Sequence, residues 1–476
     1  MSADSVARTD AGRGPVIAAA PRVRGAPGGF RHWRALCAGL LVVALAACGD
    51  SAAPDAGGRE PPPTESPLTV RSRQMLGERL EEWVLRSPAL AEETRVRVLL
   101  PSGYDASGAT RYPVLYLYHG SLDDEKAWTD KGDVERLTAD YPLIVVMPYA
   151  GSGGYYTDWY NFGAGGPPMW ETYHVGQLIP WIDATYPTRD AREGRATTGL
   201  SMGGFGAFAY AAKHPDLFVA AASFSGALNI NQPADTGQPD QSVFDGGLPF
   251  ATWGLRTTDE VRWRGQNPWD LAENLRGLNL MMRTGTGLPG PGYNSFDPIE
   301  ALLYLGNVDL HEKLEALGIA HRWEDYGPGG HEWQHWQRGL ERALPLLMQS
   351  FAQPPPPPDP FSYVSIQPAY AVYGWQLRWQ RPALEFSRLA VDGRRVELSG
   401  SGEAQLVTPP RYVPGRVYAV TREIEGATET LSLTADRDGR LSIELPLGPA
   451  NPFQQFTPQA RLTGTRVYRA RVDLPG

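Results

Sequence analysis

A serine flanked by glycines is the feature of this sequence that most directly suggests chemistry. Gly199-Leu200-Ser201-Met202-Gly203 follows a strand-like segment, Arg195–Thr198, and opens a segment with helical character, Met202–Lys213. Glycines two positions before and after the serine permit a sharp turn in which larger side chains would collide with the strand and the helix. A serine on such a turn is exposed and suited to attack a carbonyl carbon. The pattern predicts that Ser201 is a catalytic nucleophile, the alternative being a glycine-rich turn without chemistry.

A serine nucleophile needs a base, and His331 is the candidate. It follows the strand-like stretch His321–Tyr326 and the loop Gly327-Pro328-Gly329-Gly330. A histidine on a loop after the last strand can take the serine proton and return it to the leaving group. His331 is therefore the predicted general base.

The acid that would orient His331 has several candidates. Asp297 and Glu300 fall in what reads as a long loop after Leu278–Gly285, and Asp309 follows in a helical pattern. Each of these carboxylates could reach His331, so the residues alone leave the choice open.

Two backbone N–H groups should bind the negative charge that develops on the carbonyl oxygen. The N–H of Met202, directly after the nucleophile, is the first candidate. The second is expected just after the strand that ends at His119-Gly120, which assigns it to Ser121. This chemistry requires no cofactor and no metal.

A second motif competes for the same histidine. His331-Glu332-Trp333-Gln334-His335 matches the His-Glu-x-x-His pattern, in which two histidines on one helical face bind zinc. However, Pro328–Gly330 would break a helix directly before His331, and Arg338 stands where the longer zinc pattern has a glycine. The region in which a third ligand is expected is a proline block. A zinc metallopeptidase is the weaker alternative.

The elements that would position these residues alternate between strand-like and helix-like segments. The strand-like runs are apolar throughout, which is typical of a parallel sheet covered by helices on both faces. The serine turn within such a sheet is that of the α/β-hydrolases, predicted here over residues 68–352. The strand-like runs are Pro113–His119, Leu143–Met147, Arg195–Thr198, Phe218–Phe224 and Leu278–Met282, and the helical patterns are Thr172–Thr185, Met202–Lys213 and Asp309–Leu317.

A block of five prolines, Pro354–Pro358, divides the chain. Because such a run forms neither a helix nor a strand interior, residues 353–360 are predicted to be a stiff linker. Residues 361–476 then combine strand patterns with turn signals such as Asp392-Gly393, which predicts a smaller β-sandwich-like domain. Its aromatic side chains either fill the core or stack on sugars, and they include Tyr370, Tyr373, Trp375 and Trp379.

The N-terminus has the features of an export signal. Ala35–Ala47 is an apolar run that is too short to span a bilayer and has the length of a signal-peptide core. It leads into Cys48 through Leu45-Ala46-Ala47, which resembles a bacterial lipobox. Residues 1–47 are therefore predicted to be a lipoprotein signal peptide and residues 48–67 a disordered tether. We expect an exported protein that is lipid-anchored at Cys48 in the bacterial cell envelope; an ordinary signal peptide is the alternative.

Composition excludes some partners. The formal charge of −9 and the isoelectric point near 5.5 argue against nucleic acid. The only other cysteine, Cys37, lies inside the predicted signal. The predicted mature chain therefore has no disulfide and no metal site built from cysteines.

Five segments in one order carry a family resemblance: Tyr156–Tyr160, Trp170–Tyr173, Gly199–Gly203, Phe224–Gly226 and His331–Trp336. Together they resemble the esterase family that contains the mycobacterial mycolyltransferases (the antigen 85 complex) and the S-formylglutathione hydrolase-like esterases. The resemblance implies Ser201 and His331 as nucleophile and base, aligns Glu300 with the family's acid, and makes the zinc motif a coincidence. His119 departs from it, because the mycolyltransferases have an aspartate there that helps to hold trehalose.

The expected function is a serine-dependent carboxylic ester hydrolase of the cell envelope that acts through an acyl-enzyme on Ser201. One alternative is an acyltransferase that moves the acyl chain to a sugar hydroxyl, and another is a non-catalytic envelope binding lipoprotein. The expected partners are a small-molecule or lipid ester, a carbohydrate acceptor in the transfer alternative, and the membrane through the N-terminal lipid.

Overall fold

A computed structural model of the chain describes residues 67–232 and 240–476. The predicted signal peptide over residues 1–47, the predicted lipidation site Cys48 and the tether as far as residue 66 lie outside the described residues.

A nine-stranded sheet forms the centre of the first part of the chain. Its spatial order is β1-β2-β3-β5-β4-β6-β7-β8-β9. The strands β1, β2 and β3 run antiparallel to their neighbours. The strands β4 to β9 are all parallel to one another. The strands are β1 Thr69–Met75, β2 Leu80–Arg86, β3 Thr94–Leu99, β4 Val114–Tyr118, β5 Ile144–Pro148, β6 Arg195–Leu200, β7 Ala220–Phe224, β8 Asn279–Thr284 and β9 Arg322–Asp325.

Both faces of this sheet are covered, which explains why its central strands are apolar throughout. In β4, Tyr116 and Tyr118 pack in one hydrophobic cluster, whereas Leu115 and Leu117 pack in another. The helices are α1 Ala127–Asp130, α2 Val134–Leu137, α3 Ile179–Thr185, α4 Met202–Lys213, α5 Arg256–Arg264, α6 Pro298–Ala316 and α7 Trp333–Ala352. Helices α3 and α4 cover the first face and α7 covers the second, so the predicted α/β-hydrolase architecture is confirmed.

Two helix predictions need correction. The predicted long loop holding Asp297 and Glu300 is wrong at Glu300, because α6 begins at Pro298 and takes in the predicted helix Asp309–Leu317. Asp297 caps this helix with its side chain and proline is favoured at the first helical position, so the start signal was present in the sequence. The pattern over residues 172–185 is a π-helical segment, Thr172–Leu178, that continues as α3.

Residues 361–476 form two antiparallel sheets with a shared core, as the β-sandwich prediction expects. The six-stranded sheet has the order β10-β13-β14-β19-β16-β17 and the four-stranded sheet β11-β12-β15-β18. Trp375 and Trp379 are buried in this core and are not free to stack on sugars. The elements are β10 Phe361–Ser365, β11 Ala369–Val372, β12 Trp375–Gln380, β13 Ser387–Asp392, β14 Arg395–Gly400, β15 Gly402–Val407, β16 Val417–Ile424, β17 Ala427–Thr434, β18 Ser442–Gly448, the short helix α8 Pro458–Thr463 and β19 Tyr468–Asp473.

Across residues 67–232 and 240–476, no helix combines the length and the apolar character needed to cross a bilayer.

Candidate active site

Ser201 lies in a strained turn between β6 and α4. Its backbone has φ 53° and ψ −122°, a region that residues with a side chain rarely adopt. The turn is held because the Ser201 N–H donates to Phe224 O at the end of the neighbouring strand β7. Strain of this kind persists only where the surrounding structure fixes it, and it is concentrated at functional sites.

The glycines of the pentapeptide are required by close backbone contacts. A Cβ added at Gly199 would lie 2.5 Å from the carbonyl carbon of Gly203. A Cβ added at Gly203 would lie 2.5 Å from the carbonyl oxygen of His119. The sequence therefore permits α4 to approach both β4 and β6 and brings its first turn next to the end of β4.

His331 lies on the loop between β9 and α7, and both of its ring nitrogens are engaged. Its Nε2 is 2.9 Å from Ser201 Oγ, and its Nδ1 is 2.8 Å from Glu300 Oε2. Because a carboxylate only accepts hydrogen bonds, Nδ1 carries the proton and Nε2 is free to accept from the serine hydroxyl. The edge of the ring packs against Trp336 in α7.

Glu300 lies in the first turn of α6 and has no exposed surface. Its second oxygen, Oε1, accepts four hydrogen bonds from the protein, so the buried carboxylate is fully solvated by protein groups. The donors are Ser225 Oγ at 2.7 Å, Gly285 N at 2.7 Å, Tyr326 OH at 3.0 Å and Thr284 Oγ1 at 3.1 Å.

Sequence reasoning missed these donors to Glu300. Ser225 follows β7, Thr284 ends β8 and Tyr326 follows β9, so all three stand at the carboxyl ends of adjacent parallel strands. Because those ends meet at one edge of the sheet, polar residues at each of them are a signal that the sequence contained.

The two other candidate acids have different partners. Asp297 Oδ1 caps α6 by accepting from Ile299 N and Glu300 N, and Oδ2 accepts from the backbone N–H of His331 at 2.7 Å. Burial opposes its charge, but these backbone N–H groups lower the pKa of Asp297 below its ordinary value. Asp309 instead accepts from Asn229 and Gln232. Asp297 therefore contacts the backbone of His331, whereas Glu300 contacts its ring.

The two predicted oxyanion donors, Met202 and Ser121, flank Ser201. Met202 is the first residue of α4, and Ser121 follows Gly120, where an added Cβ would lie 3.3 Å from Ser201 Cβ. Neither the Met202 N–H nor the Ser121 N–H has a hydrogen-bond partner among the residues that the structure describes. Both are available to bind an oxygen.

The histidines of the His-Glu-x-x-His motif have other partners in this fold. Both ring nitrogens of His331 are engaged by Ser201 and Glu300, and α7 begins only at Trp333. The His335 ring is stacked on Tyr326 at 4.6 Å between ring centroids. Within residues 67–232 and 240–476, no group of three or more His, Cys, Asp or Glu side chains could hold a metal ion.

Comparison with known families identifies the α/β part of the chain. The family model named Esterase, described as "Putative esterase", matches residues 87–347, which is more than half of the 476-residue chain. The chain belongs to this esterase family. The match ends before the proline block, so it does not include the β-rich region.

Curated relatives agree with this assignment. The chain is 36% identical over 270 residues to Esterase Rv1288 of Mycobacterium tuberculosis (strain ATCC 25618 / H37Rv), a match that covers 56% of this chain and 58% of the relative. It is 30% identical over 288 residues to diacylglycerol acyltransferase/mycolyltransferase Ag85B of Mycolicibacterium smegmatis (strain ATCC 700084 / mc(2)155), covering 57% of this chain and 85% of the relative. The chain thus spans less than two thirds of the length of Esterase Rv1288.

Among solved structures, S-formylglutathione hydrolase from Agrobacterium tumefaciens aligns with a TM-score of 0.47 and 17% identity, over 59% of this chain and 98% of that chain. The resemblance seen in the sequence motifs is confirmed by the family match and the curated relatives. The family match and these relatives therefore assign the chain to proteins of the esterase and mycolyltransferase type.

Proposed function

We propose that this esterase-family member is a serine-dependent carboxylic ester hydrolase that works through an acyl-enzyme on Ser201. The observation that carries the proposal is the unbroken pair of hydrogen bonds from Ser201 Oγ through the His331 ring to Glu300, at 2.9 and 2.8 Å. A nucleophile, a base within hydrogen-bond reach and a carboxylate that orients the base are the parts that acyl transfer requires.

In the proposed reaction, Ser201 Oγ attacks the ester carbonyl carbon while His331 Nε2 takes its proton. The carbonyl oxygen becomes negative and accepts from the Met202 and Ser121 N–H groups. His331 then donates the proton to the leaving alcohol, and the acyl group remains on Ser201. Water, activated by the same imidazole, cleaves the acyl-enzyme and restores the serine. Glu300 stabilises the imidazolium that forms in both halves of the reaction.

Exposed apolar side chains near both sides of the nucleophile support a substrate with an apolar acyl group. On one side, Leu122 follows Ser121, and Phe244 lies in a short 3₁₀ helix, Gln241–Asp245, whose Gln241 accepts from the Ser121 hydroxyl. On the other side, Phe296 precedes Asp297, which accepts from the His331 N–H. These three exposed side chains are the proposed contacts of that acyl group.

The test is hydrolysis of p-nitrophenyl esters of increasing chain length, together with labelling by a fluorophosphonate probe. We expect hydrolysis by the wild type and labelling at Ser201, and loss of both in Ser201→Ala. Ser102→Ala is the control, because this exposed serine only donates to Ala139 O. A wild type that neither hydrolyses the esters nor reacts with the probe would contradict the proposal.

Acyl transfer to an alcohol is the second candidate, favoured by the 30% identity to a protein named as an acyltransferase. Product analysis with and without trehalose or glucose separates the two reactions, because transfer yields an acylated sugar.

Activity is expected to survive EDTA, since no step uses a metal ion. Loss with EDTA and recovery with zinc would favour the metallopeptidase alternative.

We also propose that the protein is exported and anchored by a lipid on Cys48, outside the cytoplasmic membrane. The support is the apolar run Ala35–Ala47 followed by Cys48. Cys48→Ala is expected to release the protein from the membrane fraction, because the lipid would be its anchor. Retention of the variant in that fraction would contradict the proposal.

A further inference from the structure

A buried histidine lies directly before the peptide that carries the second oxyanion donor. His119 follows β4 and is 1% exposed. Its Nδ1 is 2.8 Å from Gly120 O, and its Nε2 accepts from the N–H of Ala150 at 3.0 Å. The His119 side chain is thus turned into the protein.

The two contacts fix the protonation of His119. A carbonyl oxygen only accepts, so Nδ1 carries a proton; Ala150 N–H donates, so Nε2 does not. The ring is therefore the neutral Nδ1–H tautomer. Burial lowers the pKa of His119 below its ordinary value, which keeps this form at neutral pH.

The contact with Gly120 O has a consequence for its neighbour. Gly120 C=O and Ser121 N–H belong to one planar peptide group, and in a trans peptide they point in opposite directions. Fixing the carbonyl therefore fixes the direction of the N–H. The Asp123 N–H also donates to Gly120 O, at the longer distance of 3.3 Å.

This peptide lies beside the nucleophile. A Cβ added at Gly120 would lie 2.5 Å from Leu200 Cδ1 and 3.3 Å from Ser201 Cβ. His119 is itself held in position, since its ring is stacked on Tyr149 and its carbonyl oxygen accepts from Tyr156 OH at 2.9 Å. The local structure thus leaves the imidazole and the peptide little freedom to rotate.

We propose that His119 is a positioning residue that orients the Ser121 N–H toward the oxyanion by holding the Gly120 carbonyl. The proposal rests on the proposed ester hydrolysis and assigns His119 no contact with substrate. It gives the two ring nitrogens different roles: Nδ1–H orients the peptide that carries the Ser121 N–H, and Nε2 ties the ring to Ala150, two residues after β5.

Two amide substitutions separate these roles. In His119→Asn the side-chain amide reaches the position of Nδ1, so it can still donate to Gly120 O. In His119→Gln the amide reaches the position of Nε2, so the contact with Ala150 can persist and the contact with Gly120 is lost. His119→Leu removes both contacts.

The first readout is steady-state hydrolysis of p-nitrophenyl butyrate. We expect His119→Leu and His119→Gln to lower kcat about 100-fold with little change in KM, because one oxyanion donor is misdirected. His119→Asn is expected to stay within about 10-fold of the wild type, because it retains the donor to Gly120 O.

The second readout compares an ester with its thionoester, in which sulfur replaces the carbonyl oxygen. Sulfur is a weak hydrogen-bond acceptor, so a working oxyanion site favours the oxygen ester. We expect this preference to fall in His119→Leu and His119→Gln and to be retained in His119→Asn. A change that is only structural would lower both rates together.

His174→Leu is the matched control, because His174 is also buried and bonds to Tyr210 and to the carbonyl of Tyr149. It is expected to lower the melting temperature and to leave the oxygen preference unchanged. Wild-type kcat in His119→Leu, equal rates for the Asn and Gln variants, or an equal loss of preference in His174→Leu would overturn the proposal. If His119→Leu does not fold, the Asn and Gln pair decides. A wild type that hydrolyses no ester would instead refute the proposed function.

Discussion

A carboxylate without exposed surface must find every hydrogen bond inside the protein, and Glu300 does so. One oxygen faces the ring of His331, and the other accepts from four protein donors. Removing a partner from such a group leaves buried polar atoms unsatisfied, which costs more than an exposed hydrogen bond is worth. Substitutions at Glu300 and at the residues that donate to it are therefore expected to disturb the hydrogen-bonded group of Ser201, His331 and Glu300 strongly.

Glu300→Gln should lower kcat far more than Asp297→Asn. The amide of Gln cannot stabilise the imidazolium on His331, so we expect a fall of about 10³-fold or more. Asn at position 297 keeps one acceptor for the start of α6 and loses only the contact with the His331 backbone N–H, not a contact with its ring, so we expect a change within about 10-fold. Saturation kinetics with one p-nitrophenyl ester measures both. A larger fall in Asp297→Asn would reassign the acid.

Tyr326→Phe tests the surroundings of Glu300. Burial and the nearby Glu300 carboxylate raise the pKa of Tyr326, so its hydroxyl remains protonated and can donate. Losing this donor should cost about 1.5–3 kcal/mol in the free energy of unfolding, the range for a hydrogen bond to a charged group. Tyr304→Phe is the control, because its hydroxyl also donates to a carboxylate, Asp325, but at the surface. Equal changes in urea unfolding would contradict the argument.

At the scale of elements, the serine turn depends on α4 approaching β4 closely. Gly203→Ala would add a Cβ at 2.5 Å from His119 O and 2.6 Å from Tyr118 O, and backbone atoms cannot easily withdraw. We expect loss of esterase activity and a lower melting temperature. Gly176→Ala, in a helical segment with nothing within 4 Å of the added Cβ, is the control. It should be neutral or stabilising by up to about 1 kcal/mol. An active, fully stable Gly203→Ala would show that the turn tolerates a side chain.

A partly buried ion pair joins Glu171, directly before the π-helical segment that leads into α3, to Lys213 at the end of α4. Burial opposes the charge of Glu171, but Lys213 and His214 lower its pKa to about 2, from an ordinary value of 4.5. A depressed carboxyl pKa stabilises the fold above the unfolded pKa, and this stability is lost as the pH falls from about 5 to 2. Glu171→Gln should therefore lower the free energy of unfolding by about 3–5 kcal/mol at pH 7. It should also weaken the dependence of that free energy on pH between about 5 and 2.

Urea unfolding at several pH values measures the effect of Glu171. Glu341→Gln is the control, because its partner Arg338 and its own side chain are both exposed. If the free energy of unfolding of Glu171→Gln falls as steeply between about pH 5 and pH 2 as that of the wild type, this carboxyl is not the source of the acid dependence.

Element types were more predictable from the sequence than the surroundings of the site. The bounds of α4 match the prediction, because a serine turn and Pro215 mark its ends. The start of α6 was missed although Asp297-Pro298 is a start signal, since the following residues read as loop. The donors to Glu300 come from three strands that are distant in sequence. Polar residues at the strand ends are visible in the sequence, but only the spatial order of β7, β8 and β9 places them around one carboxylate.

At the scale of the whole molecule, the β-rich region contacts the end of α4, the helix that follows Ser201. Tyr363 OH donates to Lys213 O, and the Tyr373 N–H donates to Asp216 Oδ2. The last carbonyls of a helix lack partners within the helix, so Tyr363 supplies one from outside. Arg388 also forms an ion pair with Glu273. The two regions therefore share polar contacts, although every proposed catalytic residue lies between Ser121 and His331.

We propose that residues 68–352 form a catalytic domain that folds without the β-rich region. A fragment of these residues should be soluble and should hydrolyse small soluble esters nearly as well as the mature chain, because it contains the sheet and both of its cores. Its melting temperature should be lower, because Lys213 O and Asp216 lose their partners.

A second fragment ending at residue 358 should recover part of the loss in melting temperature. Arg192, which is buried, donates to Pro355 O, and Pro358 lies against Gly277. Thermal unfolding and ester hydrolysis of the two fragments and the mature chain test this. If both fragments are insoluble or inactive, the β-rich region is part of the catalytic unit.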